Sequence, residues 1–358
     1  MTSQMAREIA EQPAAISATL ESLIPLRADM RRLASGRTQV LFVARGSSDN
    51  AAVYGRYLLE THSRVSAALA APSIATHYRS ERDLSSTLVV SLSQSGETAE
   101  IVASQDWARR CGAATVAITN DPNSALALAA DLPLVTRAGR ELAVPATKSY
   151  TSQLAALAVL ATALAPEPEL LDADLLGVPE EIERQLRDWA RHDGGAAEDA
   201  VAALTQADSI LVTGRGLVLG TALEVALKLE ETCLRPVRGL SYADLKHGPI
   251  AVVGDGVLAV LVAASDGPLL GAMTELAADL VSRAATVIGF GGDEGFRAAC
   301  DIAVPGPELI EAIAPLALIV APQLTVEAFA RRLGLDPDAP RGLSKVTQTD
   351  RFPTPTRG

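Results

Sequence analysis

Aromatic residues make up only 3% of the 358-residue chain, and histidine occurs four times. With so few rings, a core has to be filled by Ala, Val, Leu and Ile, the usual filling of layered α/β folds. The three cysteines, Cys111, Cys233 and Cys300, stand alone, with neither a CxxC pair nor ligand spacing. That excludes a disulfide framework and a structural zinc site, and reads them as buried thiols. Lys/Arg clusters are missing and the formal net charge is −12. Nucleic acid is therefore an improbable partner, and an anionic substrate would need local donors. The first residues, Met1–Glu8, lack an apolar signal core, and the most apolar run, Leu154–Ala165, falls well short of the roughly 20 residues that span a bilayer. No membrane association and a cytoplasmic location are expected.

What is abundant is aliphatic, 48% hydrophobic residues in a chain longer than one usual core. The chain also repeats itself. Val40-Leu41-Phe42-Val43-Ala44-Arg45-Gly46 resembles Ile210-Leu211-Val212-Thr213-Gly214-Arg215-Gly216 at a shift of 170, and Ala113–Val116 recurs as Ala284–Val287 at a shift of 171. Each copy alternates short β-branched runs with Ala/Leu-rich helical stretches, the pattern of a parallel sheet covered on both faces. The expected fold is α/β, two tandem doubly wound parallel-sheet sandwiches of flavodoxin-like type. The expected organisation is an N-terminal helical segment (1–34), a first sandwich (35–165), a linker with a helix over Pro179–Arg191 (166–205), a second sandwich (206–334) and an extended tail (335–358).

Within the first copy, Ser93-Gln94-Ser95-Gly96-Glu97-Thr98 follows the buried strand Leu88–Leu92 and precedes a helix. Ligands of doubly wound sheets bind beyond the carboxyl ends of the strands, where a helix N-terminus offers N–H groups to an anion. Ser and Thr at helix starts usually only cap them, but one cap needs one hydroxyl and this loop carries three. The matching segment of the second copy, Ala263–Pro268, keeps the glycine, loses most hydroxyls and gains an acid. Only the first copy is expected to bind phosphate. The Gly46 turn adds Ser47 and Ser48, placed to reach sugar hydroxyls.

Of His62, His77, His192 and His247, only His247 lies in a loop-like context, Leu245-Lys246-His247-Gly248-Pro249. Upstream, Lys228 and Glu231 stand at i and i+3 on one helix face, a spacing that in an anonymous helix describes a solvated pair.

Taken together, Arg45–Ser48, Ser93–Thr98, Ala143–Lys148, Ala226–Glu231, Leu245–Pro249 and Pro340–Lys345 resemble the sugar isomerase (SIS) family, in a double-SIS arrangement. The match is nearest to the isomerase half of the glutamine-fructose-6-phosphate aminotransferases, and it runs in order over nearly the whole chain. The resemblance implies phosphate contacts at Ser93, Gln94, Ser95 and Thr98, and sugar contacts at Ser48 and the Val144 backbone. It makes Glu231 the proton-transfer base and Lys228, on the same helix face, a catalytic lysine. His247 would assist ring opening from a neighbouring subunit of a homodimer, and Lys345 would close over the sugar from the tail. One carboxylate within reach of C1 and C2 can move the proton, and lysines can stabilise the developing oxyanion, with no metal or organic cofactor.

No cysteine lies near the N-terminus, where the related synthases carry a glutaminase nucleophile. The expected reaction is therefore glutamine-independent: deamination of glucosamine 6-phosphate to fructose 6-phosphate, ahead of an ammonia-dependent synthesis or an aldose-ketose isomerisation. Three departures from the family pattern, Pro236-Val237-Arg238, Ala146 and Ser344, bear on the substrate. An Arg238 beside the sugar would suit a dehydratase of N-acetylglucosamine 6-phosphate. A sugar-phosphate sensor is the non-enzymatic alternative, and the retained Lys228, Glu231, His247 and Lys345 count against it.

Overall fold

The computed structural model describes residues 2–191, 195–346 and 348; His192 and the tail at 347 and beyond 348 lie outside the described residues. Among the described residues, ten strands follow in order: β1 (Gln39–Val43), β2 (Ser66–Leu69), β3 (Thr87–Leu92), β4 (Ala114–Thr119), β5 (Leu132–Val135), β6 (Ser209–Gly214), β7 (Val237–Ser241), β8 (Val257–Ala263), β9 (Thr286–Gly291) and β10 (Ile302–Val304). They form two all-parallel sheets. The first runs β2-β1-β3-β4-β5, with Val40 beside Leu88 and Leu88 beside Ala114. The second runs β7-β6-β8-β9-β10, the same order one copy later, with Ile210 beside Leu258. The tandem doubly wound architecture read from the repeat is the observed one. The central strands β3 and β4 are buried at every position, as strands covered by helices on both faces must be.

The two copies share one continuous core. It runs from Met5 and Ile16 in the N-terminal helices, through Phe42, Leu88 and Leu157, to Val212, Val260 and Phe329. At its centre lies the helix Lys148–Leu164, buried from Lys148 to Ala163. A helix apolar on every side has to be enclosed. The copies meet where the helix Leu219–Cys233 crosses the helix Ser47–Leu58. A Cβ at Gly220 would stand 2.4 Å from the Asn50 carbonyl, so the crossing requires glycine. Tyr54 seals the contact, its hydroxyl donating to the Ala312 carbonyl at 2.8 Å.

The linker helix begins earlier than expected. It spans Asp172–Arg191 with Pro179 inside it, and a second helix follows at Ala196–Gln206. The buried stripe Leu175, Val178, Ile182 starts ahead of the proline. An interior proline costs about 3 kcal/mol, while burying three aliphatic side chains returns about 1.5–3 kcal/mol each, so the stripe prevails.

The described part of the tail, from Leu335, has neither helix nor strand and is held by polar contacts. The Asp338 carboxylate accepts the backbone N–H groups of Gln4 (2.8 Å) and Met5 (2.7 Å), and its carbonyl accepts the Val144 N–H (2.8 Å). These contacts lead the chain back over the carboxyl ends of the first sheet.

Candidate active site

Beyond the carboxyl ends of β1 and β3 opens a cavity of about 350 Å³. Ser47, Ser48, Ser93, Gln94, Ser95, Thr98, Val144, Lys228, Glu231 and Lys345 all line it, drawn from both copies and from the tail. His247 does not. It is exposed, just past the short helix Tyr242–Lys246 on the second copy. Arg238, expected beside the sugar, is likewise exposed on the sheet-edge strand β7 and does not line the cavity, whereas Ala146 and Ser344 do.

The loop after β3 is built around Gly96, at φ +65°. A Cβ there would lie 2.1 Å from the Ser124 Oγ, so both the conformation and the space demand glycine. The Gly96 N–H donates to the Ser93 Oγ at 3.2 Å, and the Ser93 and Thr98 hydroxyls share a hydrogen bond at 3.3 Å. Thr98 holds the N-cap position of the helix Ala99–Arg110, yet its side chain makes no capping bond; the hydroxyl faces Ser93 instead. Simple capping therefore does not account for this threonine. The Ala99 N–H is taken by the tail, donating to the Gln348 side-chain oxygen at 3.0 Å.

Across the cavity, the helix Leu219–Cys233 presents a ladder of buried Glu224, buried Lys228 and part-exposed Glu231. The Lys228 Nζ lies 3.5 Å from Glu224 and is hydrogen-bonded to Glu231, with Lys228 only 1% exposed. Asn50 of the first copy donates to the far oxygen of Glu224 at 2.9 Å, tying the ladder to the cavity wall. Burial pushes the Lys228 ammonium down, but the Glu224 and Glu231 carboxylates together outweigh it and hold its pKa above the ordinary lysine value. Burial pushes the Glu224 carboxyl up, against the pull of Lys228. Lys228 is thus a fixed cation next to a carboxylate that is itself part-exposed to the cavity.

Two acids here escape a reading of local sequence. Glu100 grips Arg45 in a two-point contact at 2.9 and 3.0 Å, and Glu141 accepts from the Lys345 ammonium at 2.6 Å. Among the described residues, each of the three cations lining the cavity, Arg45, Lys228 and Lys345, is therefore already paired. From these residues an entering anion meets hydroxyls and backbone rather than a bare positive charge. For Glu224 a sequence signal existed, since it completes an i, i+4, i+7 face with Lys228 and Glu231. The Val144 N–H is committed to the Asp338 carbonyl, so only its carbonyl can face a sugar.

No helix among the described residues is long and apolar enough to cross a membrane, and no group of three His, Cys, Asp or Glu side chains among them is placed to hold a metal.

Such a site, at the strand ends of one copy and completed by a helix of the other, defines a sugar-isomerase type of protein, and comparison with known proteins agrees. Residues 33–163 match the SIS domain. A glutamine–fructose-6-phosphate aminotransferase [isomerizing] of Thermococcus kodakarensis is 35% identical over 95% of this chain and 57% of its own length. The chain thus spans little more than half of that relative. A phosphosugar isomerase candidate from Silicibacter pomeroyi DSS-3 superposes with a TM-score of 0.83 at 31% identity, over 94% of this chain and 100% of that one. The glucosamine-6-phosphate deaminase of Thermotoga maritima does so with a TM-score of 0.75 at 27% identity, over 97% and 100%. The chain belongs to the SIS family.

Proposed function

We propose that the chain moves a proton between C1 and C2 of an amino-sugar 6-phosphate, and that the net reaction is deamination of glucosamine 6-phosphate to fructose 6-phosphate and ammonia. One observation carries this reading: a single cavity has the hydroxyl-rich loop Ser93–Thr98 on one wall and the Lys228–Glu231 pair on the other. The loop suits the phosphate, with Ser47 and Ser48 beside the sugar. In the opened sugar, Glu231 takes the C2 proton, and the Lys228 ammonium stabilises the negative charge growing on O1. Returning that proton to C1, with one proton passing from the nitrogen to O1, gives the C2 imine and a C1 hydroxyl. Water adds to C2, the C–N bond breaks, ammonia leaves and the ketone remains.

Ring opening is assigned to His247 of the partner subunit, because in its own chain His247 is exposed and away from the cavity. This reading requires a homodimer. The relative from Thermococcus kodakarensis, by name an isomerizing aminotransferase of fructose 6-phosphate, favours as a second reading the opposite direction, amination of fructose 6-phosphate. The argument for a dehydratase weakens, since Arg238 does not line the cavity.

Incubation with glucosamine 6-phosphate and with N-acetylglucosamine 6-phosphate, following ammonia, fructose 6-phosphate and ultraviolet absorbance, tests the reading. Ammonia and fructose 6-phosphate in equal amounts are expected from the first substrate. An absorbing product without ammonia from the second would replace deamination by dehydration, and binding without turnover of either would make the chain a sensor.

A further inference from the structure

Lys345 reaches the cavity from the tail, and its ammonium is already engaged there. The Nζ donates to the Glu141 carboxylate at 2.6 Å and to the Ala143 carbonyl at 2.7 Å. An ammonium has three donors. Two fixed acceptors leave one N–H, and tetrahedral geometry sets its direction from the other two.

The acceptor is itself immobile. Glu141 is only 5% exposed. It accepts the backbone N–H groups of Thr147 (2.9 Å) and Ser149 (3.0 Å), with their hydroxyls at 3.3 and 2.5 Å. Those groups open the long buried helix Lys148–Leu164, so the carboxylate is fixed to the most enclosed element of the molecule. Burial pushes the Glu141 carboxyl up, but the Lys345 ammonium and the hydrogen bonds from Lys345 and Ser149 hold it below the ordinary carboxylate range. A rim pair would let the acid follow a mobile lysine. Here the lysine, carried on the tail, has to come to the acid.

We propose that Glu141 is a positioning residue: with the Ala143 carbonyl it aims the third N–H of Lys345 into the cavity, and it holds the tail in place before any sugar arrives. The inference rests on reading the cavity as the phosphosugar site. A purely structural role, capping the helix at Thr147 and Ser149, is separable. Glutamine keeps an oxygen for those N–H groups but carries no charge to hold the ammonium.

The test uses the full chain as wild type, Glu141→Gln, Lys345→Met and the double variant. Turnover of glucosamine 6-phosphate and amide hydrogen exchange across residues 341–346 without sugar are both read. Each single variant should lower kcat/KM roughly 10- to 100-fold, the range for a lost charge-assisted hydrogen bond. The double variant should fall no further than Lys345→Met, because both remove one interaction. Exchange in the tail should speed up in both single variants. Multiplying losses in the double variant, or tail exchange unchanged in Glu141→Gln, overturns the proposal. The exchange measurement needs no turnover, so it still decides if glucosamine 6-phosphate is not the substrate. Should Glu141→Gln not fold, Lys345→Met decides alone, and wild-type exchange in that variant refutes the tail-holding role.

Discussion

The two copies share strand order and glycine turns, yet only one is open at its strand ends. At Gly46, after β1, a Cβ would meet nothing within 4 Å; at Gly216, the same place after β6, it would stand 2.5 Å from Leu269 and 3.5 Å from Glu311. The loop after β3 carries three hydroxyls. The loop after β8 carries Asp266, whose carboxylate accepts the Glu311 N–H at 2.6 Å, and the Glu311 side chain lies against Gly267. The second mouth is thus filled by its own acid and leucine. On the reading proposed above, a duplicated fold has kept the ligand position in one copy, plugged it in the other, and turned the second copy's helix toward the first copy's cavity, so that the proposed chemistry draws on both.

The largest test of that division is Glu231→Gln. If the second copy supplies the base, turnover should fall about 10²- to 10⁴-fold while phosphosugar binding, read by calorimetry, stays within a few-fold of wild type. An active variant would move the base elsewhere. Next comes the glycine pair. Gly96→Ala forces a Cβ onto Ser124, which cannot retreat because its Oγ accepts the Ala127 N–H at 3.3 Å. A loss of about 1–3 kcal/mol in stability and a clear rise in KM are expected. Gly267→Ala is strained at φ +96°, but its neighbour is the movable end of Glu311. It should cost about 1 kcal/mol and leave KM alone. Equal KM effects from the two would mean that the mouths are not different.

A smaller effect belongs to single hydroxyls. Thr98→Ala should raise KM roughly 10- to 100-fold if Thr98 donates to a phosphate, since hydrogen bonds to charged groups contribute about 1.5–3 kcal/mol. Ser265→Ala, in the second copy, should leave KM unchanged.

Much of this division could be read from residue order. The shift of 170 aligns β1 with β6, and runs such as Leu88–Leu92 gave strands because β-branched and aliphatic residues fill a pleated, buried surface. The hydroxyl-rich loop was visible because its residues are consecutive. What stayed hidden depends on distance along the chain. Glu141 meets Lys345 across 204 residues, and Glu311 meets Asp266 across 45. Local spacing carries no trace of either. Lys228 and Glu231 were in view and misleading by spacing alone, since Glu and Lys along one helix face describe a solvated pair until tertiary packing encloses them. Pro179 misled in the opposite direction: it suggested a helix start, whereas the buried stripe had begun at Leu175.

The smallest expected effect bears on why the second mouth is closed by an acid at all. Burial pushes the Glu311 carboxyl up, and Asp266 beside it adds to the rise. A carboxyl with a raised folded pKa binds its proton more tightly in the folded protein than in the unfolded chain. It therefore favours folding at low pH, and that contribution is lost as pH climbs from the ordinary carboxylate range through the raised value. Above that raised value the Glu311 carboxylate faces the Asp266 carboxylate in the plug, two neighbouring negative charges that the fold tolerates. Glu311→Gln keeps the shape and removes one of them, so it should raise the melting temperature near pH 7 by an amount worth under about 1 kcal/mol, as expected for a half-exposed site. Below about pH 4, where the wild-type carboxyl is protonated in both states, the difference should vanish. Phosphosugar turnover should not change. Melting curves across pH that stay parallel would show that Glu311 acts only as filler, and a turnover change would show that the second mouth is not silent.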